Sequence, residues 1–216
     1  MVDYIIFDLD GTLIDTLEGI TVAVNETLKE VGLDYYYTKS EVKTFIGKGA
    51  KNLITLAFKR NLSSEEFELF LKNYEKYQYV SKAFPNVMEV LKELNERNIP
   101  IIVYSNKPNE LLQKLMEFVF NDIKFSYLQG QDLNYPTKPD VTLLKKIIKH
   151  LKLEEKNGLF VGDSVVDILT AKNINMNCLI LTYGYGNIIE MDKETNKTYI
   201  NDFKEVLKFI WHIKKN

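Results

Sequence analysis

Asp8-Leu9-Asp10-Gly11-Thr12 sets two carboxylates two residues apart, directly after an apolar run. In an extended chain, residues two apart share one side, so both acids can be aimed at one pocket. Gly11 permits the tight turn that re-aims the chain behind them. Such a pair can divide labour, one carboxylate ionised as nucleophile or metal ligand and the other acting as general acid. The same spacing also arises where a strand simply ends in solvated acids. Three further segments weigh against that plainer reading. Ser105-Asn106-Lys107 follows an apolar run and offers a hydroxyl, an amide and backbone N–H groups that could hold an anion. Lys138-Pro139-Asp140 brings a positive charge, with Pro139 suited to the first turn of a helix. Gly162-Asp163-Ser164-Val165-Val166-Asp167 follows a third apolar run and sets Asp163 and Asp167 one helical turn apart on one face.

Asp8, Asp10, Asp163 and Asp167 in one crevice cannot all stay ionised without a compensating cation. Oxygen donors with no neighbouring His or Cys favour Mg²⁺ over zinc. A cation with open positions, together with Lys138 and Ser105, suits a phosphoryl group, whose transfer depends on positioning and charge compensation. Asp8 is then the natural nucleophile, forming an aspartyl phosphate.

These residues must be placed by short strands. Tyr4–Phe7, Ile101–Tyr104, Leu159–Val161 and Cys178–Leu181 read as buried strands, with Phe125–Leu128 and Tyr199-Ile200 as weaker candidates. Between them lie helical periods: Val87, Val90, Leu91 and Leu94; Leu143, Leu144, Ile147, Ile148 and Leu151; Phe203, Val206, Leu207 and Ile210. This alternation predicts an α/β fold, a doubly wound parallel sheet. Residues 16–82 break it. They show helices marked by Ile20, Val24 and Leu28, by Leu53, Leu56 and Ala57, and by Phe67, Phe70, Leu71, Tyr74 and Tyr77, with no convincing strand. The expected division is an α/β catalytic core of residues 1–15 and 83–216 with an inserted helical cap of residues 16–82. An insertion just after the first strand is well placed to cover a site at the carboxyl ends of the strands.

Composition agrees with an ordinary globular protein. The chain has 216 residues, 45% hydrophobic and 27% charged, and a net charge of −2, which argues against disorder and against a dedicated nucleic-acid binder. Only Arg60 and Arg97 are arginines, so a cationic contact falls to a lysine point charge. The lone Cys178 excludes a disulfide framework and a multi-cysteine zinc site, and its apolar neighbours suit a buried small hydrophobe. There is no signal-like start and no apolar run long enough to span a membrane, so the expected location is cytoplasmic.

Taken in order, Phe7-Asp8-Leu9-Asp10-Gly11-Thr12-Leu13, Ser105-Asn106-Lys107, Lys138-Pro139-Asp140 and Gly162-Asp163-Ser164-Val165-Val166-Asp167 resemble the four motifs of the haloacid dehalogenase (HAD) superfamily, in its phosphatase branch with a helical cap. The resemblance implies a Rossmann-like HAD core, with Asp8 as nucleophile and Asp10 as acid/base. It implies that Asp8, the backbone carbonyl of Asp10, and Asp163 hold Mg²⁺. Ser105, Asn106 and Lys138 then bind the phosphoryl group, and Asp167 orients the metal site or Lys138. Phe45-Ile46-Gly47-Lys48-Gly49-Ala50 and Thr182-Tyr183-Gly184-Tyr185-Gly186 are similar to segments of phosphoglycolate phosphatase-like proteins. The expected partner is a small phosphorylated metabolite such as 2-phosphoglycolate, with no nucleic acid, no membrane, and a monomer or dimer. The alternatives are a phosphomutase of the β-phosphoglucomutase type, a pyrophosphatase or nucleotidase on the same core, and a non-catalytic binding protein.

Lys48, between two glycines, reads either as an anion contact from the cap or as a solvated lysine. Lys107 competes with Lys138 for the phosphate, and the motif favours Lys138. His150 and His212 read as surface residues, Tyr35-Tyr36-Tyr37 as a packed cap loop, and Lys214-Lys215 as a favourable charge at a helix C-terminus.

Overall fold

The computed structural model describes residues 2–211; His212, Lys214 and Lys215 lie outside them. In chain order the elements are β1 Tyr4–Phe7, β2 Ile14–Asp15, α1 Leu17–Glu30, α2 Lys39–Lys43, α3 Ala50–Phe58, α4 Ser64–Tyr77, β3 Lys82–Ala83, α5 Val87–Glu96, β4 Ile101–Pro108 and α6 Asn109–Val119. They continue as β5 Tyr127–Gln131, α7 Thr142–His150, β6 Gly158–Gly162, α8 Val165–Asn173, β7 Asn177–Leu181, α9 Ile188–Met191, β8 Thr198–Ile200 and α10 Val206–Trp211. Six strands form one parallel sheet in the order β5-β4-β1-β6-β7-β8.

Both faces of this sheet are covered. Ile5, Phe7, Val103 and Val161 pack with α5, α6 and α10, while Tyr4, Ile6, Ile102 and Phe160 pack with α7 and α8. A strand buried on both sides carries apolar residues at every position, which is why β1 reads as a continuous run rather than an alternation. The doubly wound α/β expectation therefore holds.

Details differ. β4 runs past Tyr104 to Pro108 through an irregular stretch in its pairing with β5. β5 starts at Tyr127, later than the expected Phe125, because this edge strand takes up the polar Gln129-Gly130-Gln131 segment. α7 begins at Thr142, so Pro139 precedes the helix instead of forming its first turn, and the Lys138–Pro139 peptide is cis. β2 and β3 form an antiparallel ribbon, Ile14 opposite Ala83 and Asp15 opposite Lys82. Two-residue strands are too short to leave a periodic signature.

Between the two ribbon strands, α1–α4 gather around Ile20, Val24, Leu28, Leu53, Ile54 and Phe70. Thr38 with Glu41 and Ser63 with Glu66 form capping boxes that start α2 and α4. α1 has no side-chain cap of its own. Tyr185, from the loop after β7, supplies one: its hydroxyl accepts from the backbone N–H groups of Thr16 (2.8 Å) and Leu17 (3.0 Å). Of the Tyr35–Tyr37 run, Tyr37 is buried and donates to the Ala57 carbonyl, while Tyr36 stands exposed. Cys178 is buried and His150 exposed. Among the described residues, no helix is long and apolar enough to cross a membrane.

Candidate active site

The carboxyl ends of β1, β4 and β6 and the helical block enclose a cavity of about 250 Å³. Asp8 and Asp10 leave β1, Ser105, Asn106 and Lys107 ride on β4, Lys138 comes from the loop before α7, and Asp163 ends β6; all line this cavity. The turn after β1 brings Gly11 against Asp163: a Cβ at Gly11 would lie 2.4 Å from Asp163 Oδ2, and φ there is +87°. Only glycine serves this close approach in that backbone conformation.

Lys138 is the hinge of the electrostatics. Its Nζ lies 2.8 Å from Asp8 Oδ1 and 2.7 Å from Asp167 Oδ1. The ammonium thus bridges the two carboxylates as a close ion pair. Burial alone would lower the Lys138 ammonium, but Asp167 and Asp8 outweigh it and hold its pKa above the usual lysine range. Asp167 is fully buried and its second oxygen is also occupied. Oδ2 accepts from the backbone N–H groups of Asp163 (3.2 Å) and Ser164 (3.0 Å) and from the Ser164 hydroxyl (2.7 Å). Asp163 accepts from the Thr12 hydroxyl (2.8 Å) and from the Tyr185 backbone N–H (2.6 Å).

Oxygens of Asp8, Asp163 and Asp167 lie within 4.8 Å of one another, all buried. One ammonium faces three carboxylates. Burial pushes Asp8 up to about 6, opposed by Lys138 and reinforced by Asp167. Asp163 is raised well above the carboxylate range, again by burial, then by Asp167 and Asp8. A crowded, all-oxygen donor set of this kind fits a hard divalent cation such as Mg²⁺, which would relieve both shifts. Asp8 and Asp163 line the cavity and would face it; Asp167 does not line it, and its carboxylate is held by Lys138 and Ser164.

Asn106 works through its side chain as a clamp. Its amide donates to the carbonyls of Gly47 (2.9 Å) and Lys138 (3.2 Å) and accepts from the Lys138 N–H (2.8 Å). Its side chain is thereby committed to holding Gly47 and Lys138. Lys48 lies at the cavity rim, exposed, between Gly47 and Gly49 ahead of α3. Lys107 is buried, and its Nζ lies 3.4 Å from Asp10 Oδ1 and 2.5 Å from the Tyr74 hydroxyl of α4. Sequence reasoning set Lys107 in rivalry with Lys138; the two lysines instead serve different carboxylates. Thr12, Tyr74 and Tyr185 were read as motif, packing or loop residues. The Asp-X-Asp-Gly-Thr pattern signals Thr12 and the Thr182–Gly186 segment includes Tyr185, but neither gives the contacts these side chains make.

A family model of haloacid dehalogenase-like hydrolases matches residues 5–181. A phosphoglycolate phosphatase of Aquifex aeolicus (strain VF5) is 34% identical over 182 residues, covering 84% of this chain and 85% of its own. Phosphoglycolate phosphatase 1 of Pseudomonas aeruginosa is 30% identical over 212 residues, covering 94% and 78%. Among solved structures, a predicted phosphoglycolate phosphatase from Haemophilus somnus 129PT superposes with a TM-score of 0.83 at 31% identity, covering 97% of this chain and 98% of that one.

Proposed function

The chain belongs to the haloacid dehalogenase-like hydrolases and is a phosphatase, and from this we propose that it hydrolyses a small carboxylated phosphate monoester, 2-phosphoglycolate or a close analogue, through an aspartyl phosphate on Asp8. The observation that carries the reading is Lys138 bridging Asp8 and Asp167 beside Asp163, at the mouth of the sheet. That arrangement holds the carboxylate of the strand end in place through one oxygen, facing the cavity where a phosphoryl group would meet it, as a nucleophile needs.

A carboxylate oxygen of Asp8 attacks phosphorus. The bond from phosphorus to the alcohol oxygen breaks, and that oxygen takes the electron pair and a proton from Asp10. Water then attacks the phosphorus of the acyl phosphate and gives a proton to Asp10. The Asp8–phosphorus bond breaks, releasing inorganic phosphate and restoring both carboxyl groups. Lys138, the Ser105 hydroxyl and the backbone N–H of Asn106 balance and orient the phosphoryl oxygens. Asp8, Asp163 and the carbonyl of Asp10 would hold Mg²⁺, which when bound supplies charge compensation for the carboxylates and the phosphoryl group. Asp167 fixes Lys138 and the turn that carries Asp163.

Residues 16–82 act as the cap. Ile20, Gly47, Leu53 and Tyr74 line the cavity opposite the core residues, and closure from this side would keep water from the first step. On this side Lys48 stands at the cavity rim, available to a charged substrate group. Steady-state hydrolysis of 2-phosphoglycolate and p-nitrophenyl phosphate, with and without Mg²⁺, tests the reading. Asp8→Asn should abolish turnover of both in a folded protein. Turnover that survives in Asp8→Asn would refute the covalent route.

A further inference from the structure

Lys107 is a buried cation that the phosphoryl chemistry does not use. Its side chain is fully buried, whereas Lys48 stands in solvent. The irregular end of β4 carries it there, and β5 passes close beneath: a Cβ at Gly130 would come within 2.5 Å of the Lys107 carbonyl oxygen. The Tyr74 hydroxyl accepts from its Nζ, and the Tyr74 ring centroid lies 3.9 Å from it. The contact to Asp10 is long, at 3.4 Å. The third ammonium proton has no acceptor among the described residues. One N–H direction of this buried ammonium is therefore open to a further acceptor.

Its place relative to Asp10 says which part of a substrate it meets. A group that protonates the leaving oxygen must come within hydrogen-bond reach of it. Lys107 touches that same carboxylate, so it flanks the alcohol and not the phosphoryl group, which lies toward Asp8 and Lys138. A carboxylate on the ester carbon of the substrate sits two bonds from the leaving oxygen. We infer that Lys107, steadied by Tyr74, is the specificity-determining residue that pairs with the carboxylate of the leaving group. This rests on the phosphatase reading with Asp10 as the acid, and it assigns the main carboxylate contact to the cavity floor instead of to Lys48 at the rim.

The test compares 2-phosphoglycolate with 2-hydroxyethyl phosphate, a neutral ester of the same length, in wild type, Lys107→Met, Lys107→Arg and Tyr74→Phe, with Mg²⁺ present. Lys107→Met should lower kcat/KM for 2-phosphoglycolate about tenfold or more beyond any loss on the neutral ester, chiefly through KM, the scale of one charge-assisted hydrogen bond. Lys107→Arg should recover part of the preference, and Tyr74→Phe should raise KM for the carboxylated ester alone. Equal losses on both esters would mean that Lys107 only steadies Asp10, and would overturn the inference. A binding measurement guards against misfolding. In Asp8→Asn protein, 2-phosphoglycolate should raise the melting temperature more than inorganic phosphate does, and adding Lys107→Met should remove that excess. An excess that persists refutes the assignment. Wild type that cleaves p-nitrophenyl phosphate but neither binds nor hydrolyses 2-phosphoglycolate refutes the inference while leaving the phosphatase reading intact. Failure on every ester with Mg²⁺ present would refute the phosphatase reading itself.

Discussion

Removing one oxygen atom from Tyr185 asks whether the loop after β7 anchors the helical block. In Tyr185→Phe the ring and backbone remain. What disappears is the acceptor for the Thr16 and Leu17 N–H groups and the donor to Asp15 Oδ1 at 2.7 Å. Those N–H groups open α1, whose N-cap residue Thr16 makes no side-chain cap; Leu17 keeps a longer contact to Asp15 Oδ1 at 3.3 Å, whereas Thr16 N–H loses its acceptor. Losing a helix N-cap costs about 1 kcal/mol. Asp15 is exposed, so its carboxylate can turn to water and adds little. The total should be about 1–2 kcal/mol, and for a chain of this size each kcal/mol moves the melting temperature by roughly 2–4 °C. Thermal unfolding followed by circular dichroism should therefore show a fall of roughly 2–8 °C. The Tyr185 backbone N–H that holds Asp163 at 2.6 Å is untouched, so the rise produced by Mg²⁺ should survive. An unchanged melting temperature would refute the anchoring role. Loss of the Mg²⁺ response would refute the separation between hydroxyl and backbone.

Asp163→Ala should largely abolish stabilisation by Mg²⁺; a ligand at 100 times its Kd contributes about 2.7 kcal/mol to the wild type, and a mutant with an undiminished shift would place the cation elsewhere. The metal-free protein should be more stable near pH 5 than near pH 7. Asp8 is raised to about 6 in the fold, against about 3.9 in an unfolded chain, so between those values the folded state keeps a proton that the unfolded state releases. Stability therefore falls as pH rises through that window, and the raised Asp163 extends the fall upward. Chemical denaturation with a chelator present checks this, and stability that instead rises across the window contradicts it.

What the sequence revealed follows from how each signal is encoded. β1, β6 and β7 are buried on both faces, so their apolar runs stand out against the turn residues that bound them. β5 lies at the sheet edge and mixes Tyr127 and Leu128 with glutamines and a glycine, which blurs its register. Asp8, Ser105, Asp163 and Asp167 are legible because each lies at the carboxyl end of a strand or the start of a helix, where topology brings distant segments together, and Lys138 because it is a charge set beside a proline in the loop before α7. The pairing of Lys107 with Tyr74 is not. Tyr74 falls on the apolar stripe of α4 and reads as packing, and only the seating of that helix on the core brings its hydroxyl to the ammonium. Tyr185 is hidden for the same reason: its role depends on where a loop lands against the start of α1.

The small ribbon of β2 and β3 decides how this chain can change over evolutionary time. Because Ile14 faces Ala83 and Asp15 faces Lys82, the helical insert leaves and re-enters the core at one point. To the parallel sheet it is a hairpin loop, however many helices it holds. The entropy of closing a loop grows only with the logarithm of its length, about 0.6 kcal/mol per doubling. Helices can be lengthened, lost or exchanged beyond the ribbon with little consequence for the strand order that gathers the aspartates. The strands that gather the aspartates and the helices packed over them are thus stretches of chain free to diverge at different rates, joined by two pairs of residues.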